Sequence, residues 1–360
     1  MTNPSFDTIC RTITVLMVLY TVLWSLLQTF NANPLRQFFK VWAQLLLYYL
    51  AFTMPWWALL AIITALSGAW TWWVALLIAG MAFGYFYSTV ILPSMLRTYE
   101  QRIDLGLERP LRLAVLSNLK VGIFSGKPRH IRRWVDEVND LDVEAVLITG
   151  DWLYYPGADL VGQLMLLKTI NKPVYTVMSR TDLVYQSLNL SVQGQPLLED
   201  TLNSALQVLD IKDLSQRCVQ SHEVLLCGWQ DKEALMMSAQ RQSVAAAMTD
   251  NEAVAVAQII PQLKQADRPV IILAAHYDRV YELPKTQPRP LVIAGDGRSG
   301  FDGQARPLTM APIASRHPVL VRHQGLHQHE LAQVYVAHGV GMSRWPFRLS
   351  YPAIDILSIR

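Results

Sequence analysis

The stretch that decides the fold of the soluble part is Arg112-Leu-Ala-Val-Leu-Ser-Asn-Leu-Lys-Val-Gly122, an apolar run that closes in polar residues and a glycine. A short apolar run with β-branched residues is typical of a central strand in a parallel α/β sheet. Sheets of this class carry their ligands and chemistry where the strands end. The sequence therefore predicts a site after this strand, with Asn118 and Lys120 in it.

Further strands and helices alternate along the chain, which is the pattern of a layered α/β domain. Helices are predicted at about 128–141, 160–169, 196–209 and 251–264, and a hairpin at about 218–228. Strands at 334–337 and 354–359 are predicted to lie in a second sheet. In chain order, the five strand ends are Ser117-Asn-Leu-Lys120, Gly150-Asp151, Ser179-Arg-Thr-Asp182, His276 and Gly295-Asp-Gly-Arg298.

The amino-terminal part of the chain is predicted to lie in a membrane. Between Lys40 and Arg97 there is no Asp, Glu, Lys or Arg. An uncharged run of this length indicates spans in lipid, at about 12–30, 41–66 and 70–92. These three spans hold seven of the eleven tryptophans. Pro55 would kink the second span or split it into a re-entrant pair.

The predicted domains are a membrane domain (1–93), a juxtamembrane connector (94–110) with a helix at about 94–106, and an α/β domain (111–360). The loop with Arg36 and Lys40 lies on the same side of three spans as the α/β domain. Arginines also cluster just after the last span. The positive-inside rule therefore predicts a multi-pass protein of the cell membrane with a cytoplasmic α/β domain.

Composition narrows the choice of partners. The net charge is +3, and no basic block interleaved with aromatic residues is present, so nucleic acid is not an expected partner. The expected partner is the lipid bilayer. Cys218 and Cys227 could meet across the predicted hairpin, but the sequence has no disulfide framework. We expect buried thiols in a reducing compartment.

The five strand ends resemble the motifs of the calcineurin-like metallophosphoesterases, in particular their membrane-anchored bacterial branch. The family's motifs at these places are D-x-H, G-D, G-N-H-D, a lone H and G-H-x-H. The resemblance covers about 111–360 and includes Ile148-Thr-Gly-Asp151, Leu273-Ala-Ala-His276 and the tail 334–348. It implies transmembrane α-helices followed by a four-layer αββα sandwich with two central sheets.

The resemblance also implies a dinuclear metal centre, and this sequence departs from the ligand set. Only Asp151, the bridging carboxylate, and His276 match metal ligands, while Asp182 still closes the third motif. The family's other ligand and catalytic positions hold Asn118, Lys120, Arg180, Thr181, Asp296 and Arg298. Cations beside a site repel a divalent ion, so we expect no metal cofactor and no catalysis.

Two interpretations of the altered site stay open. The cations could hold a phosphate or other anion, such as a phosphorylated lipid head group; they are Lys120, Arg180 and Arg298. Alternatively they pair with carboxylates in an internal salt-bridge network; these are Asp151, Asp182 and Asp296. We favour the network slightly. Either way, we predict a non-catalytic binding or regulatory subunit with a membrane-protein or lipid partner.

The alternative prediction is a working hydrolase with a reduced metal site. Asp151, His276 and Asp296 are acceptable ligands for one divalent ion, such as Mn, Fe or Zn. Such an enzyme would cleave lipid-linked or nucleotide phosphoesters.

Overall fold

The computed structural model describes residues 4–32, 38–67, 71–156, 159–179, 182, 198–215, 217–229, 261–277, 280, 283–295, 324–342 and 345–360. Its amino-terminal helices are α1 (Pro4–Ala32), α2 (Phe38–Leu66) and α3 (Trp72–Phe86), and π and 3-10 turns continue α3 to Ser94. Three helical stretches are long and apolar enough to cross a membrane: Thr8–Asn31, Phe38–Leu66 and Trp72–Ser94. The three predicted spans are thus confirmed as helices, and α2 continues through Pro55.

The strands and helices that follow match most of the predicted pattern. The helices are α4 (Pro128–Asp140), α5 (Leu160–Leu164), continued by a 3-10 turn at Met165–Thr169, and α6 (Leu198–Val208). The strands are β1 (Arg97–Ile103), β2 (Leu111–Leu116), β3 (Val121–Gly122), β4 (Ala145–Ile148), β5 (Leu153–Tyr154), β6 (Val174–Thr176), β7 (Lys212–Asp213), β8 (Cys218–Ser221), β9 (Val224–Trp229), β10 (Val270–Ala274), β11 (Leu291–Gly295), β12 (Gly325–Gln328), β13 (Gln333–Ala337) and β14 (Ala353–Ile359).

Most of these strands form two mixed sheets. The first has the order β1-β14-β2-β4-β6-β7, and the second has the order β12-β13-β11-β10-β9-β8. Strands β2, β4 and β6 run parallel, as do β9, β10, β11 and β13. Their carboxyl ends therefore lie along one edge of each sheet. The short pair β3 and β5 joins the loops that leave β2 and β4.

Alternating side chains of β2 show how the layers stack. Leu113 and Val115 belong to a core shared with the second sheet, including Ile271 and Ile293. Ala114 and Leu116 point the other way, into a core built with α4, α5 and α6. The outer face of the second sheet is covered by a third core that includes Leu263. Period-two alternation with both faces buried is what a four-layer αββα sandwich requires.

The helix predicted at 94–106 is wrong. Residues Arg97–Ile103 form β1, which pairs in parallel with β14. The charged side chains of Arg97, Glu100 and Arg102 are exposed on this edge strand, where they discourage pairing with another chain. The first strand after the apolar helices is thus hydrogen-bonded to the last strand of the chain.

The placement of the last strand is also corrected. The run 354–359 forms β14, which pairs antiparallel with β2 in the first sheet rather than in the second. Strand β13 does lie in the second sheet, as expected. Local sequence pattern identifies a strand but not its neighbour, because pairing is decided by contacts between distant parts of the chain.

The expectation of two thiols is wrong as well. Cys218 and Cys227 are directly opposed across the β8–β9 hairpin and form a disulfide. The hairpin itself is confirmed. Directly opposed residues of an antiparallel pair are close enough for such a bond, which explains how a pair without a wider disulfide framework can form one.

The α/β domain packs directly against the apolar helix α2. Three residues of α2 are buried in one cluster with loop residues of the domain: Val41, Leu45 and Tyr48. The Tyr48 ring lies 5.4 Å from the Phe124 ring. Gln44 donates a hydrogen bond from Nε2 to the Tyr154 hydroxyl at 2.8 Å, and both residues are buried. The first turns of α2 therefore belong to the domain's packing rather than to lipid.

Candidate functional site

The ends of both sheets converge, which brings described residues of all five predicted strand ends together. A Cβ atom on Gly295, the last residue of β11, would lie 2.6 Å from Ser117 Oγ and 2.7 Å from Thr149 Oγ1. A Cβ atom on Gly150 would lie 3.2 Å from the Cβ of Ala275, which precedes His276. Only a glycine allows so close an approach of the two sheets. The expectation that these ends share one region is therefore met for the residues that the structure describes.

The loops after β2 and β4 are tied together through their backbones. The amide of Lys120 donates to the carbonyl of Asp151 at 2.9 Å, and that of Val121 donates to the carbonyl of Trp152 at 2.7 Å. Asn118, Lys120 and Asp151 all have positive φ, between 46° and 53°. Non-glycine residues adopt this conformation at a cost, and such outliers cluster at functional sites. The surrounding packing holds these three side chains in place.

Lys120 and Asp151 form a buried ion pair. Lys120 Nζ lies 3.8 Å from Asp151 Oδ2, and their side chains are only 6% and 7% exposed. Asn118 is also buried and donates from Nδ2 to Ser117 Oγ at 3.0 Å. The Asp151 carboxylate thus has an ammonium group beside it.

Asp182 is fully buried and is held by hydrogen bonds to its carboxyl group. It accepts from the Leu153 amide at 3.0 Å, and from the amide and hydroxyl of Ser179 at 3.0 and 2.9 Å. Burial, and next the charge of Asp151, raises the pKa of Asp182 to about 7, although these hydrogen bonds oppose the rise. Asp182 thus links the third strand end to the loop that carries Asp151.

We expect the Asp182 carboxyl to make stability depend on pH. Because its pKa is raised from 3.8 to about 7 on folding, its contribution is complete below pH 3.8 and is lost as the pH rises through 7. The free energy of unfolding, relative to that of Asp182→Asn, should fall by about 4 kcal/mol over this window. Denaturant unfolding of the full chain in detergent at a series of pH values measures this difference.

The exposed Asp136 on α4 offers a matched control for that experiment. Asp136→Asn should follow the wild-type pH profile. A difference between wild type and Asp182→Asn that stays constant from pH 4 to 8 would contradict the assignment.

His276 lies at the end of β10 and is half-buried. It follows Ala275, which approaches Gly150, but the His276 side chain itself lines a small cavity with Trp229 and Val280, in the core on the outer face of the second sheet. The other predicted site residues lie outside the described residues; they are Arg180, Thr181, Asp296 and Arg298. Among the described residues, no group of three or more His, Cys, Asp or Glu side chains is placed to hold a metal ion.

Arg348 is fully buried and supports the loop after β2 indirectly. The sequence did not single it out as a site residue. Arg348 donates hydrogen bonds to the carbonyls of Gly339, Gly341, Ser350 and Tyr351. The segment it holds donates in turn, from Val340 to Ser117 and from Gly341 to Asn118. Burial lowers the pKa of the Arg348 guanidinium. In the sequence, the signal that could have pointed to Arg348 was its place in the tail 334–348, which is part of the family resemblance.

Comparison with known proteins adds a likeness in fold. No family model matches the chain, and no curated protein matches it. Among solved structures, it is similar to the calcineurin-like phosphoesterase YfkN from Bacillus subtilis. The two are 10% identical, with a TM-score of 0.36, and the match covers 64% of this chain and 82% of that chain. At this identity and score, the likeness identifies no activity, substrate or metal.

Proposed function

We propose that this chain is a membrane-anchored relative of the calcineurin-like metallophosphoesterases that binds instead of hydrolysing. Its α/β domain acts as a non-catalytic binding or regulatory subunit. The observation that carries the proposal is the buried ion pair of Lys120 and Asp151. Two-metal hydrolysis needs a bridging carboxylate with metal ions on both sides, and here one side faces an ammonium group.

Electrostatics favours the ion pair over a metal. At about 4 Å and the effective dielectric constant of a protein site, each pair of unit charges interacts by about 4 kcal/mol. A divalent ion on the Lys120 side of Asp151 would meet repulsion of this order for each of its charges. The described residues do not fit a dinuclear centre, because Lys120 and Asn118 stand where the family's first motif supplies ligands.

The ligand of this site is proposed to be a partner with an anionic group. Lys120 is already paired with Asp151, so the salt-bridge interpretation accounts for this cation without an anion. Arg180 and Arg298 are the other two cations that the sequence places in the strand-end motifs. A phosphorylated lipid head group or an acidic surface of a membrane protein would suit such cations.

We place the protein in the cell membrane, with three spans and the domain on the cytoplasmic side. The arginines that follow the last span support this side. The Cys218–Cys227 disulfide favours the opposite side of the membrane, because disulfides persist mainly in oxidising compartments.

Metal content and turnover test the proposal together. The full chain, purified in detergent, is equilibrated with manganese, dialysed, and assayed for bound metal and for hydrolysis of bis(p-nitrophenyl) phosphate. We expect far less than one metal ion per chain and no turnover above that of Asp151→Asn. We also expect Lys120→His to raise the bound manganese, because it removes the cation and adds a ligand.

The exposed Asp136 again offers a matched control. Stoichiometric metal and turnover, lost in Asp151→Asn and kept in Asp136→Asn, would overturn the proposal. That outcome would favour the one-metal hydrolase with Asp151, His276 and Asp296 as ligands.

A further inference from the structure

A loop near the carboxyl terminus, residues 345–351, packs against the last membrane helix. The Arg348 amide donates to the carbonyl of Ser88 at 2.9 Å. The ring of Phe347 meets the ring of Tyr85 edge to face at 6.4 Å. The Arg97 guanidinium lies 3.5 Å above the ring of Tyr351. Both Tyr85 and Ser88 belong to the candidate span Trp72–Ser94.

Helix lengths locate this contact relative to the bilayer. Helix α2 has 29 residues and would be about 43 Å long, more than the roughly 30 Å of a hydrocarbon core. We set the far boundary of the hydrocarbon core at Leu66, the last residue of α2. About 20 helical residues cross the core, so the boundary on the side of the α/β domain lies near Leu47. The carbonyl of Leu47 accepts a hydrogen bond from the Tyr85 hydroxyl, so both residues lie at about the same level.

Ser88 then lies just outside the hydrocarbon. It follows Tyr85 by three residues, which is about 4.5 Å closer to the α/β domain along the helix. The polar head-group region extends about 5 to 7 Å beyond the hydrocarbon on each side. The loop bonded to Ser88 is therefore at head-group level.

The side chains that this loop exposes suit that level. Trp345 is 49% exposed and Leu349 is 58% exposed. An exposed tryptophan and an exposed leucine on one loop are favourable at a membrane interface, where amphipathic rings are enriched. Arg348 holds the loop rigid from inside through its carbonyl acceptors.

We propose that residues 345–351 are a second membrane contact of the α/β domain, with Trp345 and Leu349 inserted among lipid head groups and upper acyl chains. The partner is the lipid surface itself. The contact is continuous with α3 and lies beside the segment that supports Asn118. It thus fixes how the site-bearing domain sits on the bilayer, and it does not depend on whether the site binds metal.

Lipid-borne quenching tests the contact directly. Leu349→Cys and, separately, Trp345→Cys are made in a Cys10→Ser background and labelled with an environment-sensitive nitrobenzoxadiazole. The full chains are placed in phosphatidylcholine vesicles, some containing a phosphatidylcholine with a nitroxide near the ester. The background without an added cysteine is measured alongside and subtracted. Val208 on α6, which is 46% exposed and has no described contact with the membrane helices, is the matched control as Val208→Cys.

We expect blue-shifted emission at 345 and 349 that the nitroxide lipid quenches and aqueous iodide does not. Emission at 208 should show the reverse. Emission at both loop positions that behaves like that at 208 would overturn the proposal. So would a blue shift without quenching by the nitroxide lipid, because that pattern indicates burial against protein rather than lipid.

Discussion

Lys120→Met should destabilise the α/β domain by about 3–5 kcal/mol at pH 7, because it leaves the buried Asp151 carboxylate without its cation. The carboxyl of Asp182, whose pKa is about 7, adds to the loss, because its ionised form repels the charge of Asp151. Denaturant unfolding of the full chain in detergent, followed by domain fluorescence, measures the change in free energy of unfolding.

Two further variants make the test specific. Replacing both partners, as Lys120→Met with Asp151→Leu, should recover most of the loss, because no buried charge then lacks a partner. The exposed Lys168 is the matched control, and Lys168→Met should change stability by about 0.5 kcal/mol or less. A loss below about 1 kcal/mol for Lys120→Met would mean that solvent already screens the pair.

Arg348→Met should cost about 4 kcal/mol of stability. The substitution removes the donors from two buried carbonyls, of Gly339 and Gly341, and from two partly buried ones, and each unsatisfied buried carbonyl costs about 1–3 kcal/mol. The freed segment is the one that donates to Ser117 and Asn118, so the first loop of the site should loosen as well. Denaturant unfolding measures the first effect, and hydrogen exchange of the Val340 and Gly341 amides measures the second.

The exposed Arg133 on α4 is the matched control for Arg348. Arg133→Met should leave both measurements unchanged. Arg348→Lys should be intermediate, because one ammonium cannot reach the carbonyls that the planar guanidinium bridges. Equal stability of Arg348→Met and Arg133→Met would contradict the supporting role of this arginine.

Much of the site could be predicted because parallel strands end at one edge of a sheet. Asn118, Lys120, Asp151 and His276 were assigned to it from the ends of apolar runs alone. The partners of Asp182 were not predicted. A salt-bridge network was expected to include its carboxyl, yet that group accepts from amides and a hydroxyl. Such partners come from backbone groups, which leave no trace in the pattern of side chains.

The sequence by itself determined the three apolar helices and most strands of the α/β domain. Lipid and a buried sheet both demand local runs of apolar residues, which can be counted directly in the chain.

Only the tertiary structure decided what these elements touch. It made Arg97–Ile103 an edge strand beside β14, opposed Cys218 to Cys227, and set Lys120 against Asp151. It also placed the loop 345–351 against α3. Each of these contacts joins elements whose geometry is set by the packing of the whole domain, and such packing leaves no periodic signal in a local stretch of sequence.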